Sequence, residues 1–175
     1  MIAMNKSLLS AFAWTGLGLV LYVVPALAQG GKLIDVFNAW SAFTEKENGK
    51  AFCYIGSLPE KMEGKYTQRG DALILVTHRP AEKSFDVISI QAGYIYRKES
   101  GVKVTIGGQS FELYTKGGHA WAKAKIDRQL VAAMKGGKTM VVKGTSSRGT
   151  LTTDTYSLSG FTAAYGAMGK ACGKK

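Results

Sequence analysis

The chain has 175 residues, of which 46% are hydrophobic, and a formal net charge of +11. This length favours one domain with a real hydrophobic core, and this composition excludes an intrinsically disordered chain. The strong positive charge favours anionic partners such as lipid headgroups, lipopolysaccharide, acidic glycans or an acidic protein.

The N-terminus has the organisation of a secretory signal. Lys6 supplies an early positive charge, residues 8–24 are largely apolar, and Pro25-Ala26-Leu27-Ala28 ends in small residues. We predict that cleavage follows Ala28 and leaves residues 29–175 as one β-rich domain. The loss of Lys6 lowers the charge from +11 to +10. The alternative is an uncleaved anchor, because residues 8–24 are long enough to span a thin bilayer.

Most of the exported chain has the residue pattern of β-strands. Residues 102–106 and 111–114 alternate apolar and polar side chains around Gly107-Gly108, which predicts a tight hairpin. The apolar run 73–76 predicts a strand buried on both faces, and residues 88–96 predict a long strand bent near Gly93. Further strands are predicted over 51–55, 139–142 and 150–158. These patterns predict a mainly β fold, an antiparallel β-sandwich with one or two short helices.

Two helices are predicted in the second half of the chain. Asp127 would cap the first helix, which would end at Gly136. Ser159 would cap the second helix, near the C-terminus. The apolar residues that share one face of this second helix are Phe161, Tyr165, Met168 and Cys172.

The chain contains two cysteines, Cys53 and Cys172. In an exported protein an even number of cysteines favours a disulfide, which would join the last helix to an early strand. The alternative is two unrelated buried thiols.

Groups with catalytic or metal-binding chemistry are few. The two histidines, His78 and His119, lie far apart in sequence, and the two cysteines show no zinc-ligand spacing. The sequence contains no nucleophile-elbow pattern and no phosphate-binding glycine loop. We therefore predict no catalytic residue, no metal and no cofactor. The tripeptide Arg69-Gly70-Asp71 is expected to form a turn before a core strand and to have no adhesive role.

The positive charge is the strongest remaining property of the exported chain. We expect an anionic partner to contact a basic surface formed by Lys123, Lys125, Lys170, Lys174 and Lys175. Trp121 near Lys123 would also suit nucleic acid, but export argues against that partner. The alternative is a solvated basic surface that serves solubility.

Short motifs along the chain resemble those of the invasion-associated locus B family of alphaproteobacterial exported proteins. The residues that carry this resemblance are Trp40, Phe43, Cys53-Tyr54, Leu75-Val76-Thr77-His78-Arg79-Pro80, Gly93-Tyr94, Ala120-Trp121, Ala133-Met134, Gly144, Ser147-Arg148-Gly149-Thr150, Asp154-Thr155-Tyr156-Ser157-Leu158-Ser159-Gly160-Phe161 and Ala171-Cys172. The resemblance implies a β-rich periplasmic or envelope protein, and in pathogens a contribution to host-cell contact. It implies no catalytic residues.

Together, these observations predict an exported interaction protein in the periplasm, at the outer membrane or on the cell surface. It would bind an envelope protein, anionic lipid or lipopolysaccharide without catalysis, with peripheral membrane contact and no nucleic acid. One alternative is an accessory subunit of a periplasmic or membrane complex. The other is an envelope-polymer hydrolase that uses His78 or His119.

Overall fold

The computed structural model describes residues 31–174, so the predicted signal at 1–28 lies outside the described residues. The strands of the described region are β1 (Lys32–Phe37), β2 (Trp40–Glu47), β3 (Lys50–Ser57), β4 (Lys61–Gly64), β5 (Leu73–Arg79), β6 (Ser84–Gln91), β7 (Val102–Ile106), β8 (Gln109–Lys116), β9 (His119–Trp121), β10 (Thr139–Thr145) and β11 (Leu151–Ser157). The helices are α1 (Ala124–Gly136), α2 (Phe161–Ala171) and a short 3-10 helix, Pro80–Glu82. In this part of the chain no helix is long and apolar enough to cross a membrane.

The strands form one open antiparallel sheet in the order β1-β2-β3-β5-β6-β9-β8-β7-β10-β11-β4. The sheet curls enough to bring β2 and β11 together. The indole Nε1 of Trp40 in β2 donates a hydrogen bond to the Ser157 carbonyl in β11 at 2.9 Å. Those two strands lie near opposite ends of the strand order. The predicted mainly antiparallel β fold is confirmed, and the strands of the described residues belong to one open sheet.

The core lies inside the curled sheet and beneath the two helices. Alternate side chains of β7 point into it, so Val102 and Val104 are buried while Lys103 is exposed. At the centre, the rings of Trp40 and Phe161 meet edge to face with centroids 4.9 Å apart. Burial of each large apolar side chain contributes roughly 1.5–3 kcal/mol relative to exposure. The core therefore joins β2 to α2 as well as strand to strand.

The hairpin predicted around Gly107-Gly108 is confirmed. Ile106 pairs with Gln109, which leaves the two glycines as the whole loop between β7 and β8. Their φ angles of 52° and 84° are positive, a conformation that costs glycine little because it has no Cβ. The twist of such a turn matches the twist of the two flanking strands.

Both predicted helices form, but neither predicted cap does. Asp127 lies inside α1 and accepts a hydrogen bond from the Ile88 backbone N–H at 3.0 Å. It therefore fastens α1 to β6, because its side chain faces the core and not the helix terminus. The residue that precedes α2 is Gly160, in a left-handed conformation, so Ser159 stands one position too early to cap.

Two strand predictions were wrong in detail. The strand predicted over 88–96 ends at Gln91, because the chain turns at Gly93 with a φ of 73°. The run predicted to be buried on both faces is buried on one: Ile74 and Val76 are fully buried, whereas Leu73 and Leu75 are half-buried. The outer face of β5 is therefore covered only in part by its neighbours.

The Cys53–Cys172 disulfide is present, with the two Cα atoms 6.0 Å apart. Cys53 is fully buried in β3, and Cys172 follows the last residue of α2. The bond spans 119 positions of sequence and fastens the C-terminal helix onto the first half of the sheet.

Candidate functional site

A cleft of about 890 Å³ opens where three loops meet. These loops are the segment 65–70 before β5, the segment 93–95 after β6, and the turn 146–150 between β10 and β11. The side chains that line the cleft are largely polar: Lys65, Tyr66, Thr67, Gln68, Arg69, Tyr94, Ser146, Ser147, Arg148, Thr150 and Thr152. The cleft is thus built from parts of the chain that are distant in sequence.

Backbone contacts hold the three loops against one another. The N–H of Gly70 donates to the Gly93 carbonyl at 2.9 Å, and the N–H of Ser147 donates to the Ile95 carbonyl at 2.7 Å. A Cβ at Gly93 would collide with the Gly70 carbonyl oxygen, so these two backbones approach only because glycine stands there. The loops therefore present their side chains in a fixed arrangement.

A buried ion pair forms the floor of the cleft. The guanidinium of Arg69 binds the Asp154 carboxylate through two hydrogen bonds of 2.6 and 2.5 Å, and its Nε donates to the Ala92 carbonyl at 2.7 Å. The two side chains are only 2% and 4% exposed. Burial alone would lower the pKa of Arg69, but the hydrogen bonds and charge of Asp154 raise it above its usual value. Arg69 is therefore a permanent cation whose charge Asp154 neutralises.

Two tyrosine rings flank the Arg69 guanidinium. Its central carbon lies 5.5 Å from the ring centroid of Tyr66 and 5.1 Å from that of Tyr94. Such contacts favour a cation through the negative face of the ring. The hydroxyl of Tyr94 also shares a hydrogen bond of 2.7 Å with the Thr152 hydroxyl, and burial raises the pKa of Tyr94. The floor is therefore a closed network in which each polar group has a partner.

The turn 146–150 projects a second arginine into solvent. The hydroxyl of Ser146 accepts a hydrogen bond from the Thr150 N–H at 3.1 Å, and the Ser146 carbonyl accepts one from Gly149 at 2.8 Å. These bonds close the turn on itself and leave the Arg148 side chain exposed at its tip. The turn positions Arg148 without neutralising it.

A second cavity of about 460 Å³ adjoins the first and shares Lys65, Arg148 and Thr150 with it. It extends past Leu151 to Gly64 at the end of the edge strand β4. We call the two cavities together the basic groove. Lys65 and Arg148 are exposed at it, and among the described residues none that lines the groove is acidic. The exposed charged side chains that line the groove are therefore all positive.

The five lysines predicted to form an anionic-partner surface do not have one role. Lys123 and Lys125 are exposed at the start of α1, and Lys170 is exposed in the last turn of α2. Lys174 is instead bound to the Asp86 carboxylate, with Nζ 2.6 Å from each oxygen. Lys175 lies outside the described residues. The lysines on the two helices stay a predicted surface, with Lys174 held in an internal ion pair.

The first histidine of the hydrolase alternative, His78, is fully buried in β5. Its Nδ1 accepts a hydrogen bond from the Asp86 N–H at 3.1 Å, and its Nε2 lies 3.9 Å from an Asp86 carboxylate oxygen. Burial and the charge of Lys174 lower the pKa of His78, so the imidazole is neutral. A carboxylate and the Tyr165 ring stand close, but His78 lines neither cavity of the groove. A substrate therefore has no path to this imidazole through the groove.

The second histidine, His119, is exposed in β9, and its ring stacks on Trp121 with centroids 5.4 Å apart. It also lies outside the two cavities of the groove. The hydrolase alternative requires a histidine that lines a cleft beside an acid or hydroxyl. Neither histidine lines the groove.

The adhesive tripeptide is not displayed either. Its arginine, Arg69, is bound to Asp154 beneath the cleft and is 2% exposed, so a receptor cannot reach its guanidinium. Residues 69–71 lie in a segment without a turn, so the predicted turn was wrong, and the absence of an adhesive role stays a prediction.

Comparison with known proteins shows the family. Residues 40–169 match the family described as Invasion associated locus B (IalB) protein, so the chain belongs to that family. The fold is similar to the crystal structure of invasion associated protein B from Bartonella henselae, with a TM-score of 0.56 and 14% identity over 78% of this chain and 95% of that one. A comparison with curated protein sequences found no match. The resemblance carried by the short motifs is confirmed.

The groove itself was missed from the sequence. Arg69 stood out only as part of the tripeptide, and Arg148 only as part of the Ser147-Arg148-Gly149-Thr150 motif. The one signal that pointed to it was the presence of Gly93-Tyr94 and that motif among the family residues, since both now prove to line the cleft.

Proposed function

We propose that this IalB-family protein is exported to the periplasm or outer envelope and binds an anionic partner in the basic groove, without catalysis or a cofactor. The observation that carries the proposal is the unbalanced charge of the groove. Lys65 and Arg148 are free cations there, while the acid nearby, Asp154, is already bound to Arg69. The pattern of residues 1–28 supports export.

A concave site suits this role better than a convex one. A cleft lined by charges of one sign concentrates the electric field and raises the local concentration of oppositely charged ligands. Arg148 adds a planar guanidinium, which can bind a carboxylate or phosphate through two parallel hydrogen bonds. Because hydrogen bonds hold the backbone of the turn that carries Arg148, the ordering required on ligand binding is mainly that of side chains.

The lysines of the helices offer a second location for the same function. Lys123 and Lys125 lie at the start of α1, whereas Lys170 lies in α2. Helix α2 contacts the other end of α1, where the Nζ of Lys135 is 4.0 Å from the ring centroid of Tyr165. A helical rise of about 1.5 Å per residue separates Lys125 and Lys135 by about 15 Å. These lysines are thus spread out and lie outside both cavities of the groove, and we assign the principal binding to the groove.

The accessory-subunit alternative is favoured by one observation. Leu33 and Val36 on edge strand β1 are 50% and 55% exposed, and such apolar side chains suit a protein partner. Crosslinking from position 36 in the intact envelope would test it: capture of one defined protein supports a subunit role, and capture of none removes it.

The groove is tested by binding of inorganic polyphosphate, a polyanion without sugar rings or lipid. We expect a Lys65→Gln/Arg148→Gln double variant to lose about tenfold in affinity, because two surface charge contacts of roughly 0.7 kcal/mol each amount to that factor. Isothermal titration calorimetry at low and physiological salt measures it, and affinity should fall as salt rises.

The matched control is Lys123→Gln/Lys125→Gln, which removes the same charge from α1. We expect this variant to change affinity less than about threefold. If the helix variant loses more affinity than the groove variant, the anionic site lies on α1 and the proposal is wrong. Absence of binding to polyphosphate and to any other polyanion at low salt would also defeat it.

A further inference from the structure

The chemistry of the groove goes beyond its charge. Neutral hydrogen-bonding side chains outnumber the free cations along its wall: Thr67, Gln68, Ser147 and Thr150 against Lys65 and Arg148. Such a lining suits a ligand that carries many neutral hydroxyl groups and only occasional negative charges. A densely charged ligand would leave the neutral groups poorly used and would lack cations to match it.

We propose that the ligand of the basic groove is an acidic glycan, a chain of sugars that bear carboxylate groups at intervals. This inference rests on the proposed function and names the chemical class of its anionic partner. The cations Lys65 and Arg148 bind the acidic groups, and the hydroxyl and amide side chains between them bind sugar hydroxyls.

Aromatic rings supply the third element of the site. Tyr66 and Tyr94 both border the cleft, on either side of Arg69. Both hydroxyls are already engaged, since Tyr66 donates to the Met62 carbonyl at 3.1 Å and Tyr94 shares a hydrogen bond with Thr152. What the rings have left to offer is apolar surface, which can pack against the C–H face of a sugar ring.

The shape of the groove favours a chain over a lipid surface. A bilayer is flat, so it can contact the exposed Lys65 and Arg148 but cannot fill the cleft of about 890 Å³ that they line. A glycan chain can enter the recess. It can then continue past Leu151 into the adjoining cavity, because the two cavities share Lys65, Arg148 and Thr150.

The experiment compares defined probes on the full exported domain. Oligogalacturonates of two and six units supply carboxylated sugars, and maltohexaose supplies neutral ones. Phosphatidylglycerol vesicles and polyphosphate supply anions without sugars. We expect the acidic hexamer to bind at least about tenfold more tightly than maltohexaose, and more tightly than the acidic dimer, because only the hexamer occupies both cavities.

Variants separate recognition of sugars from recognition of charge. Tyr66→Ala should weaken hexamer binding by about fivefold and weaken polyphosphate binding by a smaller factor, while Tyr66→Phe, which keeps the ring, should bind the hexamer like the native protein. Leu151→Glu places a negative charge in the second cavity and should abolish the advantage of hexamer over dimer. Val36→Glu, an equally exposed change on β1, should not. Thermal unfolding of each variant checks that it is folded.

The outcomes separate the two levels of the proposal. Equal binding of maltohexaose and the acidic hexamer would overturn the inference, as would tighter binding of vesicles or of polyphosphate. In the polyphosphate case the proposed function stands, because the groove still binds anions. If neither polyphosphate nor the acidic hexamer binds, both the proposed function and the inference are wrong.

Discussion

Arg69 and Asp154 form a two-pronged ion pair between a loop and β11, sealed from solvent beneath the groove. The two residues are far apart in sequence, and their contact joins the segment before β5 to β11, the last strand of the chain. Because the pair also carries the hydrogen bond from Arg69 to the Ala92 carbonyl, it anchors two of the three loops that build the cleft.

Substitution of one partner should be costly. We expect Arg69→Met to lower the free energy of unfolding by about 3–5 kcal/mol, because Asp154 then stays buried without its counter-charge. Urea denaturation followed by circular dichroism measures the change. The double variant Arg69→Met/Asp154→Leu should recover at least about 1 kcal/mol of the loss. A single substitution that costs less than about 1 kcal/mol would show that the pair does not anchor the loops.

The Cys53–Cys172 disulfide should contribute substantially to stability. We expect the Cys53→Ala/Cys172→Ala variant to lose about 2–5 kcal/mol of unfolding free energy, because the native bond restricts the unfolded chain over a span of 119 positions. After reduction, the unfolding free energy of the native protein should fall by a similar amount, and its denaturation midpoint should fall with it. Equal midpoints with and without reductant would contradict this prediction.

Asp127 should make the protein more stable at mildly acidic pH. Burial raises the pKa of Asp127 to about 6, while the hydrogen bond from Ile88 opposes the shift. The folded state therefore binds a proton more tightly than the unfolded state, and the stability contributed by this carboxyl rises as pH falls from above 6 toward 4. A shift of about two pKa units corresponds to roughly 2–3 kcal/mol.

The measurement is the difference in unfolding free energy between the native protein and Asp127→Asn from pH 8 to pH 4. The variant must be compared with the native protein because His78 also changes stability with pH. Its pKa is lowered in the folded state, so its contribution to stability falls as pH drops below the ordinary histidine pKa. We expect the difference to move in favour of the native protein as pH falls through 6. The exposed Asp71→Asn serves as the control. A pH-independent difference would mean that Asp127 is ionised throughout.

Lys174 should protect the folded protein at neutral pH through Asp86. Burial would raise the pKa of Asp86, but the hydrogen bonds of Lys174 and Tyr165 and the charge of Lys174 hold it below its usual value. The stabilisation is therefore present above the ordinary carboxyl pKa and is lost as pH falls below it.

The test of this ion pair is Lys174→Met. We expect this variant to lose about 1–3 kcal/mol at pH 7, because the Asp86 carboxylate is then left largely buried without its partner. The loss should shrink as pH falls through the lowered pKa of Asp86, because the carboxyl is then protonated and no longer needs a counter-charge. Lys170→Met, at an exposed position four residues earlier, is the control and should change stability little. Equal stability of the two variants at pH 7 would contradict the role of Lys174.

Much of the fold could be predicted from the sequence because its strands alternate between a buried and a wet face. The segment from Val102 to Leu113 shows this, with the glycine pair marking its turn. The edge strands could not be predicted in the same way. Strand β4, Lys61–Gly64, is exposed throughout and is defined by its pairing with β11, which no local pattern reveals.

The site was hidden from the sequence for a similar reason. Its walls come from 65–70, 93–95 and 146–150, and only the long-range strand order brings them together. The lysine-rich C-terminus was misleading, because the ammonium group of Lys174 is paired with the Asp86 carboxylate. Local charge density therefore selected a lysine that is already paired, while the cations of the proposed groove site, Lys65 and Arg148, stand apart in the sequence.

The central claim is that anions bind in the basic groove. Amide hydrogen exchange of the native protein with and without polyphosphate measures the location of binding directly. We expect slower exchange in 65–70, 93–95 and 146–150, with no change in α1 or at the end of α2. Slower exchange confined to the two helices, or no change anywhere while polyphosphate is bound, would contradict the assignment of the groove.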